Sequence, residues 1–152
     1  MNGWVVVDAS LAAKWLINEV HSEKAFALAR SWAKSGIRPV APYLMPVEVA
    51  NVLYRRVLRG DILLEAATEL VDTLPDAGIE LREPLDLHRR AVELSAQLHQ
   101  DAVYDAHYLV LAEHIDCEFW TADERFYRAA RKLSKRVRWL GSFDETTCQN
   151  GN

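Results

Sequence analysis

The stretch Trp4-Val5-Val6-Val7-Asp8 decides how the rest of the chain is read. Four bulky residues, three of them β-branched, favour an extended pleat, and no polar residue among them leaves a face for water. A strand apolar on both faces belongs in a parallel sheet with helices packed on each side. Asp8 closes the run and so falls at the carboxyl end of that strand. In open α/β sheets ligands sit at that edge, beside the point where strand order reverses.

Outward from residues 4–8 the alternation repeats. Ser10 can cap a helix through residue 17, a second helix covers 22–34 and stops at Gly36, and 38–41 is a short strand closed by Pro42. A helix beginning at or just before Pro46 runs to Arg59, ahead of Gly60. Asp61 can cap another helix ending near Leu74, and 79–82 is a third strand. Helical periodicity marks 85–99 and 104–115; 118–121 is a strand, 124–135 a last long helix and 137–140 a last strand. Nothing repeats and no linker rich in Gly, Ser or Pro divides the chain. The expectation is one α/β domain over residues 1–143 with a mostly parallel sheet, then a loose polar tail over 144–152.

Half of the 152 residues are hydrophobic, enough for a core without disulfides. No run approaches the roughly 18 apolar residues of a membrane span. The opening residues 1–10 carry no basic leader and meet an aspartate at once, so they do not read as a secretory signal. Cys117 and Cys148 make no CxxC pair, and a reducing, cytoplasmic setting is expected. The net charge of −4 argues against a nucleic-acid partner, but its distribution argues otherwise. Residues 125–143 contain Arg125, Arg128, Arg131, Lys132, Lys135, Arg136 and Arg138 with no acid, and Arg55, Arg56 and Arg59 end an earlier helix. Local basic surfaces on an acidic whole suit a protein whose site needs carboxylates and whose substrate is a polyanion. The plainer alternative is that each cluster is a solvated helix face.

Four carboxylates stand where such a site would form. Asp8 and Asp123 each follow a strand, and Asp105 opens the helix over 104–115. Asp105 lies at the margin of its apolar face, where an unpaired acid is costly and needs a partner or a metal. Glu48 shares a polar stripe with Asn51, Arg55 and Arg59 at about 100° per residue, while Val47, Val49, Leu53, Tyr54 and Leu58 help fill the rest. A helix apolar around most of its circumference is expected to be mostly buried, with its stripe facing a cleft. Each acid also has an ordinary reading, as a helix cap, a first-turn acid or part of an exposed polar stripe. Their common placement at one sheet edge is what sets them apart. Clustered carboxylates with no His–Cys set suit a hard cation such as Mg²⁺ or Mn²⁺, which can polarise a phosphodiester and activate water.

Five histidines invite a metal reading, but no spacing makes a zinc motif, so His21, His88, His99, His107 and His114 read as surface or interface residues. Trp4, Trp15, Trp120 and Trp139 read as core, with Trp32 a further candidate, and Lys14 as a solvated lysine.

Three fragments together carry a resemblance: VVVDASLAAKWL from Val5, APYLMPVEVANVL from Ala41, and YDAHYLVLAEHIDCEFWTADERF from Tyr104. In order and spacing the chain resembles the PIN-domain ribonucleases, most closely the VapC-like toxins of toxin–antitoxin pairs, over nearly its whole length. The resemblance implies a three-layer α/β/α sandwich and endonucleolytic cleavage of RNA, often tRNA, with Mg²⁺ or Mn²⁺. It implies a homodimer silenced by a small antitoxin protein. It maps the family's four acids to Asp8, Glu48, Asp105 and Asp123, with Asp8 and Asp105 as main metal ligands. Thr121 takes the place of the hydroxyl residue that holds the attacking water or an acid. Arg55, Arg59, Arg125, Arg128 and Lys132 are the candidate RNA contacts. Rival readings are a non-catalytic PIN-fold module that binds RNA or protein, and a phosphoacceptor signalling domain. The first would be favoured by a missing acid. The second wants an adjacent acid pair and a lysine after a late strand; Asp8 has no acidic neighbour and no such lysine is present. DNA in place of RNA is a third possibility.

Overall fold

Residues 4–7 form strand β1 (Trp4–Val7) in the computed structural model, which describes residues 3–148. Its neighbours are β2 (Arg38–Ala41) on one side and β4 (Glu118–Thr121) on the other, both parallel to it. With β3 (Glu80–Leu81) and β5 (Val137–Trp139) outermost, the sheet order is β3-β2-β1-β4-β5, and every pairing is parallel. Sequence order therefore runs outward from β1 to β3 on one side and through β4 to β5 on the other. The reversal lies between β1 and β4.

Period-2 alternation divides β1 between two apolar layers. Val5 and Val7 pack with Leu28 and Trp32 of α2 (Ser22–Lys34) and with Leu11 of α1 (Ala9–Leu16). Val6 faces the opposite layer, built from α3 (Leu44–Leu58), α5 (Leu87–Gln97), α6 (Tyr104–Ile115) and α7 (Glu124–Ala130). Val5, Val6 and Val7 are all buried, each stabilising the fold by roughly 1.5–3 kcal/mol. This is the expected three-layer α/β/α arrangement. Helix α6 lies against β1 and β4 under α5, which is why it is buried nearly all round from Ala106 to Ala112. No helix among the described residues is long and apolar enough to cross a membrane.

Several local readings are corrected. Asp8 rather than Ser10 caps α1, accepting from the backbone N–H of Leu11 at 2.9 Å. Helix α4 (Leu64–Thr73) starts after Leu63, and Asp61 instead pairs with Arg56 and Arg59, each at 3.7 Å. Helix α7 stops at Ala130, short of residue 135. Phe126 and Ala130 are its buried positions, and Leu133, next in the period, is exposed, so no burial sustains another turn. Helix α3 buries Met45, Val49 and Leu53 but leaves Val47, Tyr54 and Leu58 more than half exposed. Its outer apolar face is uncovered, contrary to a mostly buried helix. Trp32 is the tryptophan that is fully in the core; Trp4, Trp15, Trp120 and Trp139 are partly exposed. Trp4 carries the guanidinium groups of Arg38 and Arg82 over its ring at 4.0 and 4.2 Å. In the tail, α8 (Glu145–Cys148) packs on α2, with Arg30 to Glu145 at 3.9 Å; residues 149–152 lie outside the described residues.

Candidate active site

Because β1 and β4 are parallel with Val7 opposite Trp120, Asp8 and Thr121 come to the carboxyl edge side by side. Thr121 Oγ donates a hydrogen bond to Asp8 Oδ2. Asp8 Oδ1 accepts from Ser10 Oγ at 2.7 Å as well as from Leu11 N–H. Ser10 Oγ in turn receives the backbone N–H of Ala122 at 3.0 Å, tying the start of α1 to the end of β4. Asp123 caps α7 by accepting from Phe126 N–H at 3.1 Å, and its own N–H donates to Thr121 Oγ at 3.0 Å. The ordinary capping role of Asp8 and Asp123 therefore holds, and both acids also stand at the sheet's switch point.

The other two acids arrive on helices. Glu48, one turn into α3, accepts the Tyr108 hydroxyl at 2.6 Å through Oε1. Asp105 sits in the first turn of α6 and makes no hydrogen bond or ion pair among the described residues. A cleft of about 390 Å³ has Glu48, Asp105 and Asp123 in its walls, together with His99, Tyr104 and Arg125. Asp8 lies behind these, only 4 % exposed.

The charges act on one another. Burial is the largest influence on Asp105, followed by the charges of Asp8, Asp123 and Glu48, and together they push its carboxyl up to about 7. Asp8 is pushed up to about 6 by burial, against the pull of its bonds to Thr121, Ser10 and Leu11. Burial also raises Glu48, opposed by the Tyr108 hydroxyl and by His107. None of the four forms a salt bridge among the described residues, so the cleft gathers carboxylates with no bonded counter-ion, although Arg125 stands in its wall. Its donors are hard oxygens, the set that a divalent cation of the Mg²⁺ class prefers. The side chains ring the cleft without yet closing on a point: no three His, Cys, Asp or Glu groups among the described residues already form a cage for an ion.

The basic candidates divide. Arg125 lines the acidic cleft and has no ion pair among the described residues. Arg128 is bonded to Glu124 at 2.6 Å, and Lys132 lies beyond the end of α7. Arg136 reaches Asp116 at 2.7 Å and Arg138 reaches Glu118 at 2.6 Å, so much of this segment pairs with its neighbours. Arg55 and Arg59 flank a separate surface recess at the far end of α3, two turns and more beyond Glu48. Lys14 pairs with Glu19 at 3.2 Å, and burial followed by the nearby charge of Arg56 lowers its amine.

Four neighbours of the acids, Ser10, Tyr108, His99 and Gln100, are not among the expected site residues. Ser10 is legible as a hydroxyl two residues after Asp8, and Tyr108 as a hydroxyl one helical turn after Asp105. His99, with φ 53°, and Gln100 form part of the cleft wall on a loop without periodicity. His107 is buried, not superficial. Its Nδ1–H donates to Val103 O at 2.7 Å, which leaves Nε2 to accept from His88 Nδ1–H at 2.9 Å.

A parallel sheet with this order and an acidic cleft at its switch point narrows the α/β proteins to which this chain can belong, and comparison with known proteins gives the family. Residues 5–132 match the PIN domain, and the chain belongs to the PIN-domain family. It is 38 % identical over 90 residues to ribonuclease VapC1 of Mycobacterium tuberculosis, which is 59 % of this chain and 65 % of that relative. The match thus spans just under two thirds of VapC1. Among solved structures, PAE2754 from Pyrobaculum aerophilum superposes with a TM-score of 0.69 at 17 % identity, covering 98 % of this chain and 97 % of the other. The Mycobacterium tuberculosis toxin VapC20, which cleaves the sarcin–ricin loop, gives 0.61 at 18 % identity, covering 82 % and 94 %. At these identities the two structures speak to the fold.

Proposed function

We propose that this protein is an endoribonuclease that requires Mg²⁺ or Mn²⁺ and acts in the cytoplasm as the toxin of a toxin–antitoxin pair. The observation that carries the reading is Asp105, whose carboxyl is pushed up to about 7 by burial and by Asp8, Asp123 and Glu48, with no cation partner among the described residues. Such a cluster is costly unless positive charge enters it. Asp8 and Asp105 would hold the ion, with Glu48 and Asp123 completing the set. When bound, such an ion supplies Lewis acidity to a phosphodiester and to the water that attacks it. The protein's own part is orientation. Thr121 and Ser10 fix Asp8, Tyr108 fixes Glu48, and the cap to α7 fixes Asp123. The ribonuclease relatives and the PIN fold support RNA as substrate, with tRNA a candidate.

The partner surface is proposed on α3 and α4. Tyr54, Leu58, Leu63 and Leu64 are each at least half exposed there, beside a recess lined by Leu53, Val57 and Ala67. A second copy of the chain or a small antitoxin would cover this apolar surface.

The test of the chemistry is cleavage of total RNA by the purified protein. Product is expected with added Mg²⁺ or Mn²⁺ and none in excess EDTA. Ca²⁺, larger and looser in geometry, is expected to bind without supporting turnover. Robust cleavage in EDTA would overturn the proposal.

A second expectation follows from the uneven basic segment. Arg125→Ala should weaken RNA binding and flatten its log–log salt dependence by about 0.7–0.9, the share of one phosphate contact. Arg128→Ala and Lys132→Ala should each do less, because Arg128 is held by Glu124 and Lys132 lies off the cleft. Unchanged affinity and salt slope for Arg125→Ala, measured by salt-titrated RNA binding, would remove Arg125 from the substrate path.

A further inference from the structure

The α6 helix carries an acid and a phenol one turn apart, and the phenol serves a different acid. Tyr108 is fully buried, with its ring stacked 5.9 Å from that of Phe119 at an interplanar angle of 15°. Phe119 belongs to β4, so the ring is gripped by the same strand that delivers Thr121 and Asp123 to the edge. From this fixed ring the hydroxyl donates to Glu48 Oε1 at 2.6 Å. One residue thus links β4, through its ring, to the carboxylate of Glu48, and its own helix bears Asp105. A hydrophobic core position needs none of this, since phenylalanine would fill the same space.

We propose that Tyr108 is a positioning residue for divalent-cation binding: its hydroxyl pins one oxygen of Glu48 and leaves the other turned toward the cleft. Glutamate has three rotatable torsions, and holding it in one arrangement before the ion arrives removes an ordering cost from binding. Outer hydrogen bonds of this kind orient ligating carboxylates, and their loss weakens metal affinity about 10–100-fold. Toward Glu48 the Tyr108 hydroxyl is the donor.

The inference rests on the cation reading above, and a binding measurement tests it without any cleavage assay. Mn²⁺ is titrated into the full chain by calorimetry for wild type, Tyr108→Phe, Glu48→Gln and the double variant. Tyr108→Phe keeps the ring stack and should lower Mn²⁺ affinity about tenfold or more. In the Glu48→Gln background the same change should alter affinity by less than about twofold, because the group through which Tyr108 acts is gone. Urea denaturation of the metal-free forms separates loss of fold from loss of affinity. Mn²⁺ binding by Tyr108→Phe within about twofold of wild type, or an equal loss on both backgrounds, overturns the inference alone. Absence of Mn²⁺ binding by wild type overturns the cation reading and this inference with it.

Discussion

Asp105→Asn is expected to lose RNA cleavage by at least about a hundredfold and yet to fold more stably than wild type at pH 8. The two effects have one origin. Asp105 makes no hydrogen bond or ion pair among the described residues, so its carboxylate contributes no structural contact that asparagine would forfeit. What it does contribute is negative charge in a cleft already charged by Asp8, Asp123 and Glu48. The neutral isostere removes the cost of burying that charge and then the repulsion, with a gain of ~2 kcal/mol after discounting for solvent screening of a partly exposed group. Asp8→Asn should lose activity on the same scale but without the same gain. Its carboxylate accepts from Ser10, Leu11 and Thr121, and an amide keeps the cap while turning a donor toward one hydroxyl. Single-turnover cleavage and urea denaturation at pH 8 read both effects. Wild-type cleavage by purified Asp105→Asn would remove that residue from the site.

What was legible in the sequence follows from strand periodicity. An apolar run such as Val5–Val7 fixes both the strand and its last residue, and a parallel sheet brings all such last residues to one edge. Asp8 and Asp123 are placed by the same reasoning that places the sheet, whereas Thr121 enters the site through the family resemblance. Glu48 was legible as an early acid on the polar stripe of α3 and Asp105 as a first-turn acid of α6, on helices that begin at that edge. The partners of these acids were less so. Tyr108 on an apolar helix reads as core, and its ring is core; that its hydroxyl meets Glu48 depends on how α3 crosses α6, which no local pattern states. Apolar residues on α3 likewise do not say which face is covered, so Val47, Tyr54 and Leu58 read as buried although they are exposed. The basic run from Arg125 read as a substrate face, yet Arg138 meets Glu118 across adjacent strands and Arg136 meets Asp116. Those acids lie about twenty residues away in sequence, and only the β4–β5 pairing brings them alongside.

The metal-free protein should lose stability as pH rises from about 4 to about 7, opposite to a protein held by carboxylate salt bridges. Asp8 is pushed up to about 6 and Asp105 to about 7 in the fold, against 3.8 for each in the unfolded chain. Within that window the folded state keeps protons that the unfolded state has released. Stability from these groups is thus fully present below about pH 4 and is lost as pH passes through their folded values. For Asp8, almost wholly buried, the difference is on the order of 3 kcal/mol. Asp105 adds less per unit because solvent screens it. Adding Mn²⁺ at pH 8 should restore stability, by about 2.7 kcal/mol at a hundred times its dissociation constant, since the ion binds the ionised cluster only when folded. At pH 5 protons compete for the same oxygens and the increment should shrink. Asp105→Asn should flatten the metal-free pH dependence and abolish most of the Mn²⁺ increment. Urea denaturation at pH 5, 6, 7 and 8, with EDTA or with Mn²⁺, reads all three expectations. A metal-free stability that climbs from pH 5 to pH 8 in wild type, with no difference in slope for Asp105→Asn, would mean that these carboxylates do not crowd one another. The electrostatic case for a cation between them would then fall.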